Sequence, residues 1–568
     1  MKKVIVIVSA VILIIMFNTC KNPLQELILQ DIAEIRLGAK PVVDVFVLTS
    51  SNPTNNPAVT FQFDSETEKI NGWAVSEEEE APNLKSDVWE DEALSTYTFS
   101  AESGKRRLYG WIKTEDGRTN DASSYFDVEL SPLSPVPDLD PGSVITGHEV
   151  LVFRFQEEMM NKAGTFGVDT SSTLGTGTIT PDNGDFKNSV FSVQPDPLWN
   201  KDSTKTLTIN FTTEMGLEGS YSIDYKPFHG VCVKGDEPTD GQGTAQDPAK
   251  LISTALVRAD TYYFSNAVTD PQVRVAGGDY SGSAPVVSLD STYDGIQLSG
   301  GYSGENWNTR LETTTVTDTS TSGGTLLSPK PVLQLTGLTS STVIDGFTFQ
   351  LGTGDSSTGV KFGTKTEPGD RADAVLRNCI IKGNGAGNTN DSTGMVLFYS
   401  SPLIEDCILF KDWTGGTEPG TVYCIYAEDS SPTINRNTIY CRGAGTVAAY
   451  ENSIGIYVLN DDDPDPVNVW NNVIIGNFKE NRDLYVSLWL QQPTAAAAVQ
   501  NNTMIIGTGS DVSACVAVQE TAPVIENNIF SDALGLTKGY AVYEVGSSDP
   551  LRVRNNFFDG FWADPNEY

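Results

Sequence analysis

A chain of 568 residues exceeds what one ordinary hydrophobic core holds, so several domains or an elongated repeat array are expected. Its 51 glycines and 29 prolines, with abundant Thr, Ser, Asn and Asp and few long helical apolar patterns, predict an all-β protein with little helix. The formal charge of -37 repels DNA, RNA and anionic headgroups, which argues against nucleic-acid partners and leaves cations, neutral ligands or plain surface hydration.

Lys2 and Lys3 precede an apolar run from Val4 to Phe17, the basic n-region and short h-region of an export signal, too short to span a membrane comfortably. Phe17-Asn18-Thr19-Cys20 resembles a bacterial lipobox, which implies a signal over 1–20 and a diacylglyceryl group on Cys20, with 21–40 as a tether. The alternative is an ordinary secretory signal followed by an unmodified cysteine. Acyl chains contribute about 0.8 kcal/mol per buried CH2, enough for a multiply acylated Cys20 to hold the protein at a membrane through its lipid alone. Export predicts a cell-envelope location, at the outer membrane or cell surface.

Residues 41–131 hold short alternating segments, Val43 to Leu48, Val59 to Phe63, Tyr97 to Ala101, Arg107 to Thr114 and Tyr125 to Leu130, the spacing of a β-sandwich. Gly72-Trp73-Ala74-Val75-Ser76, Trp89, and Leu108-Tyr109-Gly110-Trp111-Ile112-Lys113 resemble the Ig-like modules of bacterial surface proteins. The run Glu77 to Glu80 reads as a solvated turn, with calcium binding as the alternative. Pro132, Pro135, Pro137 and Pro141 predict a stiff linker over 132–145. A second sandwich is expected over 146–235. Phe155-Gln156-Glu157-Glu158-Met159-Met160-Asn161 resembles the F-x-x-x-M-D/N signature of bacterial Ig-like domains. Both modules then imply spacers.

From residue 243 a right-handed parallel β-helix is expected to run to 568. Residues 243–256, GTAQDPAKLISTAL, resemble the opening of bacterial β-helix proteins, in which Pro248 would start a short capping helix. Gly300 to Arg310, GGYSGENWNTR, resembles a first-coil motif of the same family.

Internal repetition supports the β-helix independently. Seven segments share the form apolar, any, polar, Asn or Cys, any, apolar: Leu376 to Ile381, Ile404 to Leu409, Ile434 to Ile439, Val469 to Ile474, Val499 to Met504, Ile525 to Phe530 and Val553 to Phe558. Their fourth column is Cys379, Cys407, Asn437, Asn472, Asn502, Asn528 and Asn556, at intervals of 28, 30, 35, 30, 26 and 28 residues. Val343 to Phe347 reads as one coil earlier. A period of this size without helical patterning suits stacked coils about 4.8 Å apart, with the apolar columns inward. Asn in the fourth column suits a left-handed bend, and stacked amides are expected to form a ladder. The coils resemble the repeats of pectate lyase-like proteins.

Of seven cysteines, Cys20 is assigned to lipid, and Cys232, Cys379, Cys407, Cys424, Cys441 and Cys515 remain. Their scattered spacing, with only His148 and His229 available, argues against a structural zinc site. Cys379 and Cys407 should be neighbours in consecutive coils, and stacked thiols are expected over a disulfide.

No catalytic residue is assigned. The resemblance would imply clustered aspartates with Gly-His-Gly and R-x-K elements in a polygalacturonase, or an Arg-Pro motif in a pectate lyase, and none is present despite Arg371, Arg377, Arg436 and Arg442. No cofactor is expected, with one opening for Ca2+ at Asp461, Asp462, Asp463 and Asp465 in a protruding loop; a solvated turn is the other reading. In the second repeat column, expected to face solvent, Trp470 stands among polar residues and is the leading candidate to stack on a sugar or a partner protein, unless the preceding loop covers it. Trp413, Trp489 and Tyr399 are expected in connections, as secondary candidates. The resulting expectation is a lipid-anchored surface display or binding protein for carbohydrate or protein ligands, with a polysaccharide lyase or glycoside hydrolase as the alternative. The chain stops soon after a repeat without a polar cap, as a chain shortened at its C-terminus would.

Overall fold

The computed structural model describes residues 40–561 except 101–102, 156–160, 163–164, 167, 182–189, 202–203, 322–323, 353–356, 385–391, 414–420, 444–451, 461–462, 477–483, 494, 507–511, 533–538 and 547. Cys20 and the export signal lie outside the described residues, as do Asp461 and Asp462 and the side chain of Trp413.

Residues 40–131 form two antiparallel three-stranded sheets, Val45–Leu48/Ala58–Asp64/Thr96–Thr98 and Ile70–Ser76/Gly104–Thr114/Tyr125–Leu130. Strict alternation puts Val59, Phe61 and Phe63 of the first against Leu108, Ile112 and Val128 of the second. Two four-stranded sheets follow and share a core of Leu151, Phe153, Phe191, Leu207, Ile209 and Ile223. The predicted proline linker is not free. Val136–Pro137 pairs with Phe153 and Arg154, and Val144–Thr146 pairs with Phe228, Pro227 and Lys226, so the segment is woven into the second module. Pro137 is tolerated there because its strand lies at a sheet edge, where one face of the backbone needs no donor.

The remainder is a parallel β-helix. Its first sheet has eleven strands, from Gly230–Val233 to Arg552–Arg554; its second has ten, from Gly278–Gly282 to Phe557–Asp559; its third has nine, from Val287–Leu289 to Gly539–Val545. Every pairing within these sheets is parallel, and each strand neighbours the equivalent strand of the next coil. The coil begins earlier than the sequence motif at 243, because Gly230–Val233 already pairs with Gln272–Val275. The capping helix is present but spans Ile252–Tyr262, so Pro248 precedes it rather than starting it. Its Ile252, Ala255, Leu256 and Ala259 form one stripe that covers Val231 and Val273 of the first coils.

The repeat alignment fixes the register. Ile381, Leu409, Ile439 and Ile474 are successive Cα partners in the second sheet, and each is at most 1% exposed. Each such side chain contributes about 1.5–3 kcal/mol by leaving water. The left-handed bend falls one residue before the position expected. Asn378, Asp406, Arg436, Asn471, Asn501, Asn527 and Asn555 have φ of 52° to 58°, a region that short polar side chains tolerate. The following residue, including Asn437, Asn472, Asn502 and Asn528, turns its amide into the core instead. There Asn437 Oδ1 accepts from Cys407 N, and in the following coils each Oδ1 accepts from both the backbone N–H and the Nδ2 of the preceding asparagine, as in Asn437 N to Asn472 Oδ1 at 2.9 Å and Asn437 Nδ2 to Asn472 Oδ1 at 3.0 Å. Nδ2 also donates to a carbonyl one coil back, Ile404 O at 2.9 Å for Asn437.

The solenoid and the second module share a polar junction. Glu149, 1% exposed, accepts from the N–H groups of Thr146, Ala245 and Gln246 at 2.9, 3.2 and 3.1 Å. Both histidines sit beside it: His148 Nδ1 meets Tyr263 Oη at 2.6 Å, and His229 Nε2 meets Trp199 O at 2.9 Å.

Candidate functional site

The structure spreads the candidate residues over all three sheets. Trp470 lies in the first sheet between Asn435 and Gln500, as the repeat places it, but it is half-buried and its Nε1 has no hydrogen-bond partner among the described residues. The column is not uniformly solvent-facing either, since Glu526 is 6% exposed, held by Arg552 and Arg554. In the described part of the acidic loop Asn460 and Asp463 fold inward, while Pro464, Asp465 and Pro466 stay exposed. Asn460 Nδ2 donates to Ser431 Oγ at 2.9 Å, Ser401 Oγ donates to Asp463 Oδ2 at 3.0 Å, and Arg371 approaches Asp463 and Asp465. Asp463 is therefore committed to protein groups. Among the described residues, no group of three His, Cys, Asp or Glu side chains is arranged to hold a metal.

Two of the aromatic residues placed in connections are in strands. Trp413 ends the second-sheet strand Ile408–Trp413, and Trp489 lies within the third-sheet strand Leu484–Gln491. Tyr399 does occupy a bend, with φ of 49°, and packs beside Phe398 and Tyr426.

Trp489 belongs to a constellation that the sequence did not expose. On the outer face of the third sheet, Val396, Tyr426, Tyr457, Trp489 and Ala517 are successive register partners, one per coil. The rings of Tyr426 and Tyr457 stack at 5.4 Å and 16°, and Tyr457 meets Trp489 edge-on at 5.8 Å. Tyr423 packs against both tyrosines, at 5.1 and 5.6 Å. Two residues further along each strand runs a second column, Phe398, Glu428, Leu459, Gln491 and Gln519. The columns are cross-linked: Tyr457 Oη donates to Gln491 Oε1 at 2.6 Å and Tyr426 Oη donates to Glu428 Oε2 at 3.2 Å. Lys365 pairs with the other oxygen of Glu428.

Burial and the Glu428 carboxylate push the Tyr426 and Tyr457 hydroxyls up, so both remain protonated donors. Burial is the largest single influence and works against the Lys365 charge, but the bond to Glu428 together with the charges of Glu428 and Asp429 raises its pKa overall. The face thus offers the half-buried rings of Tyr457 and Trp489, with Tyr426 buried beneath its stack on Tyr457, beside fixed amide, carboxylate and ammonium groups.

No family model and no curated relative matches the chain. Among solved structures it is similar to the family 28 exopolygalacturonase of Yersinia enterocolitica, at 10% identity over 75% of this chain and 99% of that one, with a TM-score of 0.24. It is also similar to the catalytic domain of a GH87 alpha-1,3-glucanase in complex with tetrasaccharides, at 9% identity over 89% and 100% of the two chains and a TM-score of 0.16. An S-layer protein, rSbsC, aligns at 14% identity over 34% of this chain and 29% of that one, with a TM-score of 0.14. At such scores the matches carry no argument about function. The β-helix itself rests on the strand pairing described above.

Proposed function

We propose that the protein binds a neutral polysaccharide on the outer face of its third sheet and displays that face at the cell envelope. The observation that carries this is the half-buried pair Tyr457 and Trp489 on adjacent coils, backed by the buried ring of Tyr426 and bordered by Glu428 and Gln491. Aromatic faces stack on sugar rings while the adjacent amide and carboxylate take hydroxyl hydrogen bonds. The charge of -37 disfavours uronate polymers over neutral glycans. In this reading the two N-terminal modules are Ig-like spacers, the coil is right-handed as parallel crossovers generally are, and Cys20 carries lipid. A mature N-terminus beyond Cys20, or an unmodified Cys20 in mass spectrometry of the membrane fraction, would remove the tether from this account.

A glycan array tests the binding. Removing one stacked ring, Tyr457→Ala, is expected to weaken binding roughly tenfold, the loss of about 1.4 kcal/mol. Undiminished affinity in that variant would move the site elsewhere, with Trp470 the next position to replace. A glycoside hydrolase is the second reading, favoured by Glu428, whose side chain is 13% exposed between Lys365 and Tyr426 in the middle of the aromatic face. Reducing-end release that Glu428→Gln abolishes would establish turnover; retention of glycan without release would leave a binding protein.

A further inference from the structure

The outer face of the second sheet takes no part in the glycan site. Side chains alternate along its strands, so the residues flanking the inward column of Ile381, Leu409, Ile439 and Ile474 point outward. One outward column runs from Ile380 to Phe557 and the other from Lys382 to Asp559, through seven coils of unbroken parallel register. Ile408, Val473, Ile529 and Phe557 are 44, 37, 44 and 62% exposed, whereas Thr348, one coil before Ile380, is 3% exposed. The open face therefore starts at Ile380. In a chain of charge -37, its two columns carry no charged residue between Lys382 and Asp559. A contiguous apolar strip of this kind marks a contact surface, because its β-branched and aromatic side chains otherwise stay in unfavourable contact with water.

Its residues are ordered symmetrically about one coil. From Val473, Thr438 and Thr503 lie one coil away on either side, Ile408 and Ile529 two, and Ile380 and Phe557 three. From Ile475 in the neighbouring column, Tyr440 and Ile505 lie one coil away, Phe410 and Ser531 two, and Lys382 and Asp559 three. In the first column apolar and hydroxyl positions thus match across the middle, and in the second the two ends carry opposite charges. The exposed bend that borders the face adds little net charge. Arg436 and Asp406 already hold each other at 2.8 and 2.7 Å, and Asn471, Asn501, Asn527 and Asn555 follow in the next coils.

We propose that this face pairs with the same face of a second copy, the solenoids running antiparallel about a two-fold axis that lies along the strands, between the copies, at Val473 and Ile475. Such an axis reverses the coil direction and sets each column against itself. Val473 then faces its own counterpart, Thr438 faces Thr503, and Ile408 faces Ile529, as two sheets packed face to face about 10 Å apart. Lys382 of each copy meets Asp559 of the other. A parallel pair would instead gather both lysines at one end and both aspartates at the other, so the charges select the antiparallel arrangement. Seven coils at about 4.8 Å and five residues at about 3.3 Å cover about 34 by 16 Å, hence about 1,100 Å2 over both copies. That reaches the lower limit of specific interfaces, about 1,000–1,200 Å2, and predicts a reversible dimer in the micromolar range.

Sedimentation velocity of the full-length protein, from about 1 to about 100 μM, tests this. The weight-average mass is expected to rise toward twice that of the monomer over that range. Val473→Lys, at an exposed position where lysine needs no repacking of the core, opposes two ammonium groups at the axis and is expected to weaken the dimer about 100-fold. Lys382→Asp should weaken it about tenfold, and adding Asp559→Lys should restore the parent midpoint, since each pair is then reversed rather than broken. Circular dichroism of every variant checks that the solenoid is intact. A protein that stays monomeric throughout, an undiminished dimer in Val473→Lys, or a double variant as weak as Lys382→Asp would each overturn the arrangement. Monomers that pellet with microcrystalline cellulose, and lose that retention in Val473→Lys, would assign the face to a polymer surface instead.

Discussion

Replacing Asn502 with alanine is expected to destabilise the solenoid by about 4 kcal/mol, because each buried polar group left without a partner costs about 1–3 kcal/mol. Asn502 Nδ2 donates to Val469 O at 2.7 Å and to Asn528 Oδ1 at 3.1 Å, and its Oδ1 accepts from both Asn472 N at 2.9 Å and Asn472 Nδ2 at 3.0 Å. Alanine leaves the carbonyl and both Asn472 donors facing a side chain that cannot answer them. Asn502→Cys should cost less, since Cys379 and Cys407 occupy the same position and their sulfurs reach carbonyls at 3.2 Å. Urea unfolding of the solenoid transition measures both. Similar midpoints for parent and alanine variant would mean that the amide column adds nothing to stability.

Acid should loosen the junction between the second module and the solenoid through His148. Burial depresses its pKa from 6.5 to about 4. The ring stacks on Tyr262 at 4.2 Å, and Nδ1 donates to Tyr263 Oη, which donates onward to Gly230 O. Arg258 adds a like charge, and the backbone hydrogen bond to Gln242, which favours the protonated ring, does not offset burial. Because the folded pKa lies below the unfolded one, the unfolded chain binds a proton that the folded chain refuses between those values. Stability is therefore retained above about pH 6.5 and falls as pH drops toward 4, by on the order of 3 kcal/mol in total. Other groups change charge over the same pH range, so the informative quantity is the difference between parent and His148→Gln. The variant should lose less in Tm between pH 7 and pH 4.5; parallel losses would assign the acid sensitivity to another group.

The repeat was legible because, from the strand Val375–Arg377 to the strand Arg552–Arg554, the bend between first and second sheets keeps two residues, so inward columns such as Ile404 and Leu409 keep a fixed spacing. The third sheet was not. Connections of varying length separate its strands from the bends on both sides, so Tyr426, Tyr457 and Trp489 align only once the pairing is known. The Asn-Asn pairs also concealed a division of labour, with the first residue supplying the backbone bend and the second the amide. Asn471 and Asn472 look interchangeable in sequence, yet only Asn471 has positive φ. The prolines of 132–145 suggested a linker because proline disfavours central strands, whereas these pieces lie at edges. Solvent exposure of Trp470 was expected from its polar neighbours, but the depth of a lateral face depends on what the connections cover.

The strand Glu218–Phe228 leads through His229 directly into the first solenoid strand, Gly230–Val233, and runs parallel to Val144–Thr146. A chain held at its N-terminus and pulled through a ligand on the solenoid would draw these paired segments in opposite directions from opposite ends. Lys226, Pro227 and Phe228 would then slide along Val144, Ile145 and Thr146, so their hydrogen bonds would be strained together in shear instead of opening one after another. Under such a load the parallel pairing would resist extension as a unit.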